Sequence, residues 1–183
     1  LMEVLNGFRI STEHWDTALS NGHLVYLIAN DDSHDATDVT DVAVRFTMIN
    51  APENTAEHLI QALENGNAIG VIFPRKSDES LEQKIKRMEN EIPYMTDIVL
   101  KGDTLLISAS KPFLEIKFVG QNGKELDVQQ NGKTAKYVIR PEDNYVRSEI
   151  KFRGGTTFYL NPITRHESEE IVKQRLDKIN YPK

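Results

Sequence analysis

The chain is 183 residues long, with 22 lysines and arginines against 28 aspartates and glutamates, a formal charge of −6 at pH 7. At 39% hydrophobic and 27% charged it has the composition of a folded domain that can bury a core, and neither a disordered chain nor an integral membrane protein fits it. The acidic balance argues against charge-driven nucleic-acid binding, which needs a basic face to displace counterions, and the absence of cysteine removes disulfides, zinc ribbons and thiol catalysis.

The chain opens at Leu1 with neither an initiator nor a leader, inside what reads as a strand. Its natural N-terminus is expected upstream, and the compartment stays open, with the cytoplasm favoured and export not excluded. Residues 1–6 form that strand, and Asn6-Gly7 signals a turn. Ser11 or Thr12 can cap a helix that carries Trp15, Ala18 and Leu19 at helical spacing and stops at Asn21-Gly22. Leu24 to Ala29 is a nearly unbroken apolar run, the pattern of a strand buried on both faces in a parallel sheet. Residues 1–30 therefore read as one βαβ unit. Val42–Ile49 is a further extended segment. Asn54 offers an N-cap with Glu57 three residues on, opening a helix that closes at Asn65-Gly66. Ala68–Phe73 reads as a short strand stopped by Pro74. A second helix, from about Asp78 to Glu91, has Leu81, Ile85, Met88 and Ile92 as its apolar stripe and a solvated mixed-charge face that includes Lys84 and Arg87.

From residue 96 the texture changes to short apolar stretches separated by turn signals: Lys101-Gly102-Asp103, Asn122-Gly123, Asn131-Gly132 and Gly154-Gly155. Phe113 to Val119 alternates, with Leu114, Ile116 and Phe118 on one side. Residues 96–162 thus read as an antiparallel sheet, a small sandwich or one sheet backed by helices. A last helix is expected over 167–179, with Ile171, Val172, Leu176 and Ile179 as its stripe.

The residues with the most chemistry are Asp32-Ser33-His34, directly after the apolar run. In parallel α/β folds ligands gather at the C-terminal ends of strands. A carboxylate and an imidazole two residues apart can point into one pocket there, and they suit zinc, manganese or iron. Two readings stand: metal ligands, or a polar loop in which Asp32 caps a turn and His34 is solvated. Tyr145 and Arg147 could face a phosphate together, or lie on an ordinary exposed strand face. Glu3 and Asn6 are minor candidates to line the same pocket. His14, His23, His58 and His166 are scattered and read as surface residues.

The blocks Glu3-Val4-Leu5-Asn6-Gly7, Trp15 to Gly22 and Ile28 to His34 resemble the end of a PHP (polymerase and histidinol phosphatase) domain, a family of metal-dependent phosphoesterases. Asn54–Gly66 is similar to the helix that often follows, and Tyr145–Glu149 and Tyr159–Ile163 resemble the tail of one bacterial branch. The resemblance implies a distorted (β/α)7 barrel with up to three metals, in which Asp32 binds one ion and His34 another. The fold class expected on this basis is α/β passing into α+β. Residues 1–50 would be the closing βαβ piece of the barrel, 51–95 a connector, and 96–183 a helix-flanked antiparallel β-rich domain. The family's HxH pair and bridging Glu are not in this chain, so the resemblance implies the C-terminal portion of a phosphoesterase of small phosphate esters, inactive by itself. A homodimer or a companion N-terminal fragment would then cover the open barrel at Val25 and Ile28. The alternative is a non-catalytic β-rich binding module on a degenerate scaffold.

Overall fold

The computed structural model describes residues 1–165. In chain order the elements are strands β1 (Met2–Asn6) and β2 (Arg9–Ile10), helix α1 (Thr12–Ser20), β3 (Leu27–Ala29), β4 (Arg45–Ile49), α2 (Ala56–Glu64), β5 (Ala68–Ile72) and α3 (Leu81–Glu91). Five strands follow: β6 (Met95–Lys101), β7 (Thr104–Gly120), β8 (Lys124–Val138), β9 (Tyr145–Phe152) and β10 (Thr157–Thr164). Helix α1 forms because Trp15, Asp16 and Leu19 share one buried face, and the chain leaves it through Gly22 at φ +80°. Ser80 and Gln83 make a reciprocal capping box at the start of α3.

The strands divide into two sheets. The smaller has the order β2-β1-β3, with β1 and β3 parallel across α1. The larger runs β4-β5-β10-β9-β7-β6, with β8 alongside β7, and every pairing in it is antiparallel. It curls into a half-barrel. Its inner face carries the main core, including Ile107, Ile116, Phe118, Val146, Ile150, Phe158 and Leu160. Burying these side chains is worth roughly 1.5–3 kcal/mol each. On the outer face of β9 and β10, Tyr145 and Tyr159 join Val4, Leu5, Trp15 and Leu27 in a second cluster, so the small sheet packs over the large one. The approach is close at Gly70, where a Cβ would lie 2.4 Å from Leu27 and 2.9 Å from Leu5. The free edge of β3 is satisfied by side chains of the large sheet. Asn161 Oδ1 accepts from Leu27 N–H at 2.8 Å, and the Thr47 hydroxyl both accepts from Ala29 N–H and donates to Ala29 C=O.

This architecture overturns the expected closing piece of a (β/α)7 barrel, while residues 96–162 do form antiparallel strands as expected. The βαβ path exists, but β1/β3 is the one parallel pairing among the described residues, and the rest is antiparallel. The apolar run misleads because only Leu27–Ala29 of it is strand. Leu24 packs against the second cluster, Val25 gives its carbonyl to Trp15 Nε1 at 2.8 Å, and Tyr26 fills the space beside Gly66. The run is apolar because it lies between helix α1 and the large sheet, not because it lines a barrel.

Other local expectations also change. Thr55, not Asn54, caps α2, its side chain accepting from His58 N–H. Asn131-Gly132 is no turn: it lies inside β8, with Asn131 at φ +56°, opposite a register shift in β7. A second irregularity, between Phe113 and Glu115, turns Phe113 inward with Ile116 and Phe118 and leaves Leu114 exposed. Helix α3 buries Lys84 and Arg87, while Leu81 and Ile85 are about half exposed. The helix expected over 167–179 and His166 lie outside the described residues.

Candidate functional site

The loop after β3 is fixed by its first acid rather than by the pair singled out in the sequence. Asp31 accepts hydrogen bonds from three successive backbone N–H groups, those of Ala43, Val44 and Arg45, at 2.5–2.7 Å. That clamp closes residues 32–42 into a loop, and Ala43 adopts φ +51° to present its N–H. The loop is held from beneath by Lys84, whose ammonium donates to the carbonyls of Val39 and Val42. Burial pushes the Lys84 pKa below the ordinary lysine value, with Asp31 opposing the shift. Within the loop, Asp35 and Asp38 each accept from the hydroxyl and the N–H of a threonine two residues on, Thr37 and Thr40, and those bonds lower both carboxyl pKa values.

Asp32 and His34 are both exposed, next to the turn that follows β1. Asp32 sits at φ +50°, and its Oδ2 accepts from Asn6 Nδ2 at 3.2 Å. Asn6 also donates to Glu3, and Asn30 donates to the same Glu3 oxygen at 2.6 Å. The His34 ring stands 6.4 Å from that of Phe8, which is itself 71% exposed. Gly7 is required here: a Cβ would fall 1.9 Å from the Asp31 carbonyl oxygen. The fold therefore brings Asp32 and His34 to one turn, at the C-terminal ends of the parallel strands β1 and β3. No hydrogen bond joins the two side chains among the described residues. Glu3 and Asn6, minor candidates in the sequence, are the groups that orient Asp32.

A complete catalytic metal site takes three or four protein ligands per ion, and no group of three or more His, Asp or Glu among the described residues is arranged to supply them. Asp32 and His34 are suitable donors in chemistry and insufficient in number.

Tyr145 and Arg147, the candidate phosphate contacts, are already engaged. Arg147 donates to both Asp16 oxygens at 2.7 Å and to Glu149 at 2.6 Å, and the Tyr145 hydroxyl donates to Asp16 at 2.9 Å. Burial by itself would lower the Arg147 pKa, and the two carboxylates outweigh it and raise it. The guanidinium also lies 5.2 Å from the Trp15 ring. This network fastens α1 to β9. His58 bonds to Thr55 and lies 3.7 Å from Glu53, and His14 and His23 are exposed.

The clamp residue Asp31 had no distinct signal in the sequence, because one Asp among Asp31, Asp32 and Asp35 reads like the others. No helix among the described residues is long and apolar enough to cross a membrane. No family model matches the chain, and no curated protein or solved structure matches it.

Proposed function

We propose that this chain carries two ligands of a metal-dependent phosphoesterase centre, Asp32 for one divalent ion (zinc, manganese or iron) and His34 for a second. The remaining ligands come from polypeptide other than residues 1–165. One observation carries the reading: both donors are exposed just past the C-terminal end of β3, beside the end of its parallel neighbour β1, where ligands collect in parallel sheets. The likeness of residues 3–7, 15–22 and 28–34 to the closing segments of PHP phosphoesterases supports the same assignment. Metals in such a centre activate water and offset charge on the phosphoryl oxygens. This chain's own part is positional. Glu3 holds Asn6 and Asn30, Asn6 holds Asp32, and the Asp31 clamp fixes the loop that follows.

Calorimetric titration with Mn²⁺ and Zn²⁺ tests it. The chain binds weakly, Asp32→Ala and His34→Ala each lower the affinity by at least about tenfold, and hydrolysis of an aryl phosphate stays at the buffer rate. Binding that ignores both substitutions contradicts the assignment. Robust hydrolysis abolished by Asp32→Ala contradicts the incompleteness of the ligand set.

The second reading, a non-catalytic binding module, is favoured by a cleft of about 700 Å³ at the open end of the half-barrel. Its lining includes Met48, Ile69, Ile107 and Ile163, with Asn67 and Asn161. It takes over if metal binding at Asp32 and His34 fails.

A further inference from the structure

Strand β6 ends the large sheet. It pairs with β7 on one side and with no strand on the other among the described residues. Residues 96–101 are all exposed, with Ile98 at 45%, Val99 at 36% and Leu100 at 48%. A free edge that carries apolar side chains is a template for another strand.

The hairpin decides which backbone groups are free. Gly102 and Asp103 form a two-residue loop between the paired Lys101 and Thr104, with Gly102 at φ +57°. In such a hairpin the closing pair is hydrogen-bonded, and bonding alternates along the strands. Val99 and Asp97 therefore bond toward β7, while the N–H and C=O groups of Ile98 and Leu100 point outward.

The segment Asp97-Ile98-Val99-Leu100-Lys101 is complementary to its own reverse. Set two copies antiparallel about a two-fold axis at Val99. Ile98 then faces Leu100 of the second copy, so the outward groups meet as hydrogen-bonded pairs. Asp97 faces Lys101 of the second copy, and symmetry repeats that pair. Residues two or four positions apart, such as 97 and 101, share one face of a strand. Other registers lose this match: an axis at Ile98 sets Asp97 against Val99. Neither Asp97 nor Lys101 has an ion pair among the described residues. Ile98 and Leu100 lie across from the buried Ile107 and Leu105, at the border of the main core, so a second sheet would extend that core.

We propose that two copies of this chain associate through β6 into a two-fold symmetric dimer, its sheets continuous across the Val99 axis and its register set by reciprocal Asp97–Lys101 pairs. This surface is distant in sequence from Asp32 and His34, and the proposal does not depend on their role. Light scattering after size exclusion, at low salt and across the micromolar range, tests it. The unaltered chain is dimeric. Asp97→Lys and Lys101→Asp each set like charges face to face and weaken the dimer at least tenfold. Mixing the two variants restores association, because each then meets its complement, and the double variant D97K/K101D dimerises alone. A monomeric unaltered chain, single variants that stay fully dimeric, or a mixture that stays monomeric would each overturn it. Circular dichroism of the single variants verifies that the exposed substitutions leave the fold intact.

Discussion

Arg147→Met is expected to destabilise the fold by about 3–5 kcal/mol, the usual cost of removing one partner from a buried ion pair. Arg147 is 3% exposed and Asp16 5%, and their two-pronged contact lies beneath Trp15. Removing the guanidinium leaves the Asp16 carboxylate buried with only the Tyr145 hydroxyl as a hydrogen-bond partner among the described residues. For a chain of this size that is a fall in melting temperature of roughly 6–20 °C. Asp16→Ala should cost a similar amount. The double variant Asp16→Leu, Arg147→Met should cost much less than the two singles together, since no charge is then stranded. Urea unfolding of the three variants checks this. Single variants within about 1 kcal/mol of the parent would mean that the network contributes little to fastening α1 on β9.

Alkaline titration should break the fold between about pH 10 and pH 12. Tyr137, Tyr145 and Tyr159 are each buried, and each pKa is pushed up from 10.0 to about 12. Loss of hydration is the main cause in all three. Asp143 adds to it at Tyr137, Asp16 at Tyr145 and Glu149 at Tyr159. The sign follows from linkage. Each phenol is protonated in both states below pH 10, so its contribution is fully present there. The unfolded chain ionises first as pH rises, and stability falls until the folded pKa is passed. Ultraviolet difference spectroscopy and circular dichroism followed together should show these three phenols ionising only as the structure is lost. Ionisation of all of them near pH 10 with the fold intact would contradict their burial.

The parts of the fold legible in the sequence are those set by local chemistry. The turns at Gly22, Gly66, Gly102 and Asn122-Gly123 all need φ above zero, and small or amide side chains announce that. What local pattern could not carry is decided between elements. Leu24–Ala29 is apolar in any layer that covers it, so parallel barrel and two-sheet packing read alike. The buried face of α3 is legible only in part: Met88 is half-buried and Ile92 packs against the main core, but Leu81 and Ile85 are exposed, because periodicity counts only apolar residues, whereas Lys84 is buried by the carbonyls of Val39 and Val42, and Arg87 by Glu79 and the Phe73 ring. Asn131-Gly132 has turn composition and serves as a bulge, because β7 shifts register opposite it. At the candidate site, Asp32 and His34 stood out by type and position. The clamp at Asp31 and the Glu3–Asn6–Asn30 support could not be read, since they depend on β1, β3 and β4 meeting in space.

Paramagnetic broadening by Mn²⁺ in the ¹H–¹⁵N spectrum tests the assignment of Asp32 and His34 most directly, because it locates the ion. Broadening should be strongest at the amides of residues 30–36 and of Asn6 to Phe8, and should vanish from both segments in the Asp32→Ala, His34→Ala double variant. Broadening centred on Asp35 and Asp38 and unchanged in that variant, or none in either segment, would contradict a cation site at the ends of β1 and β3.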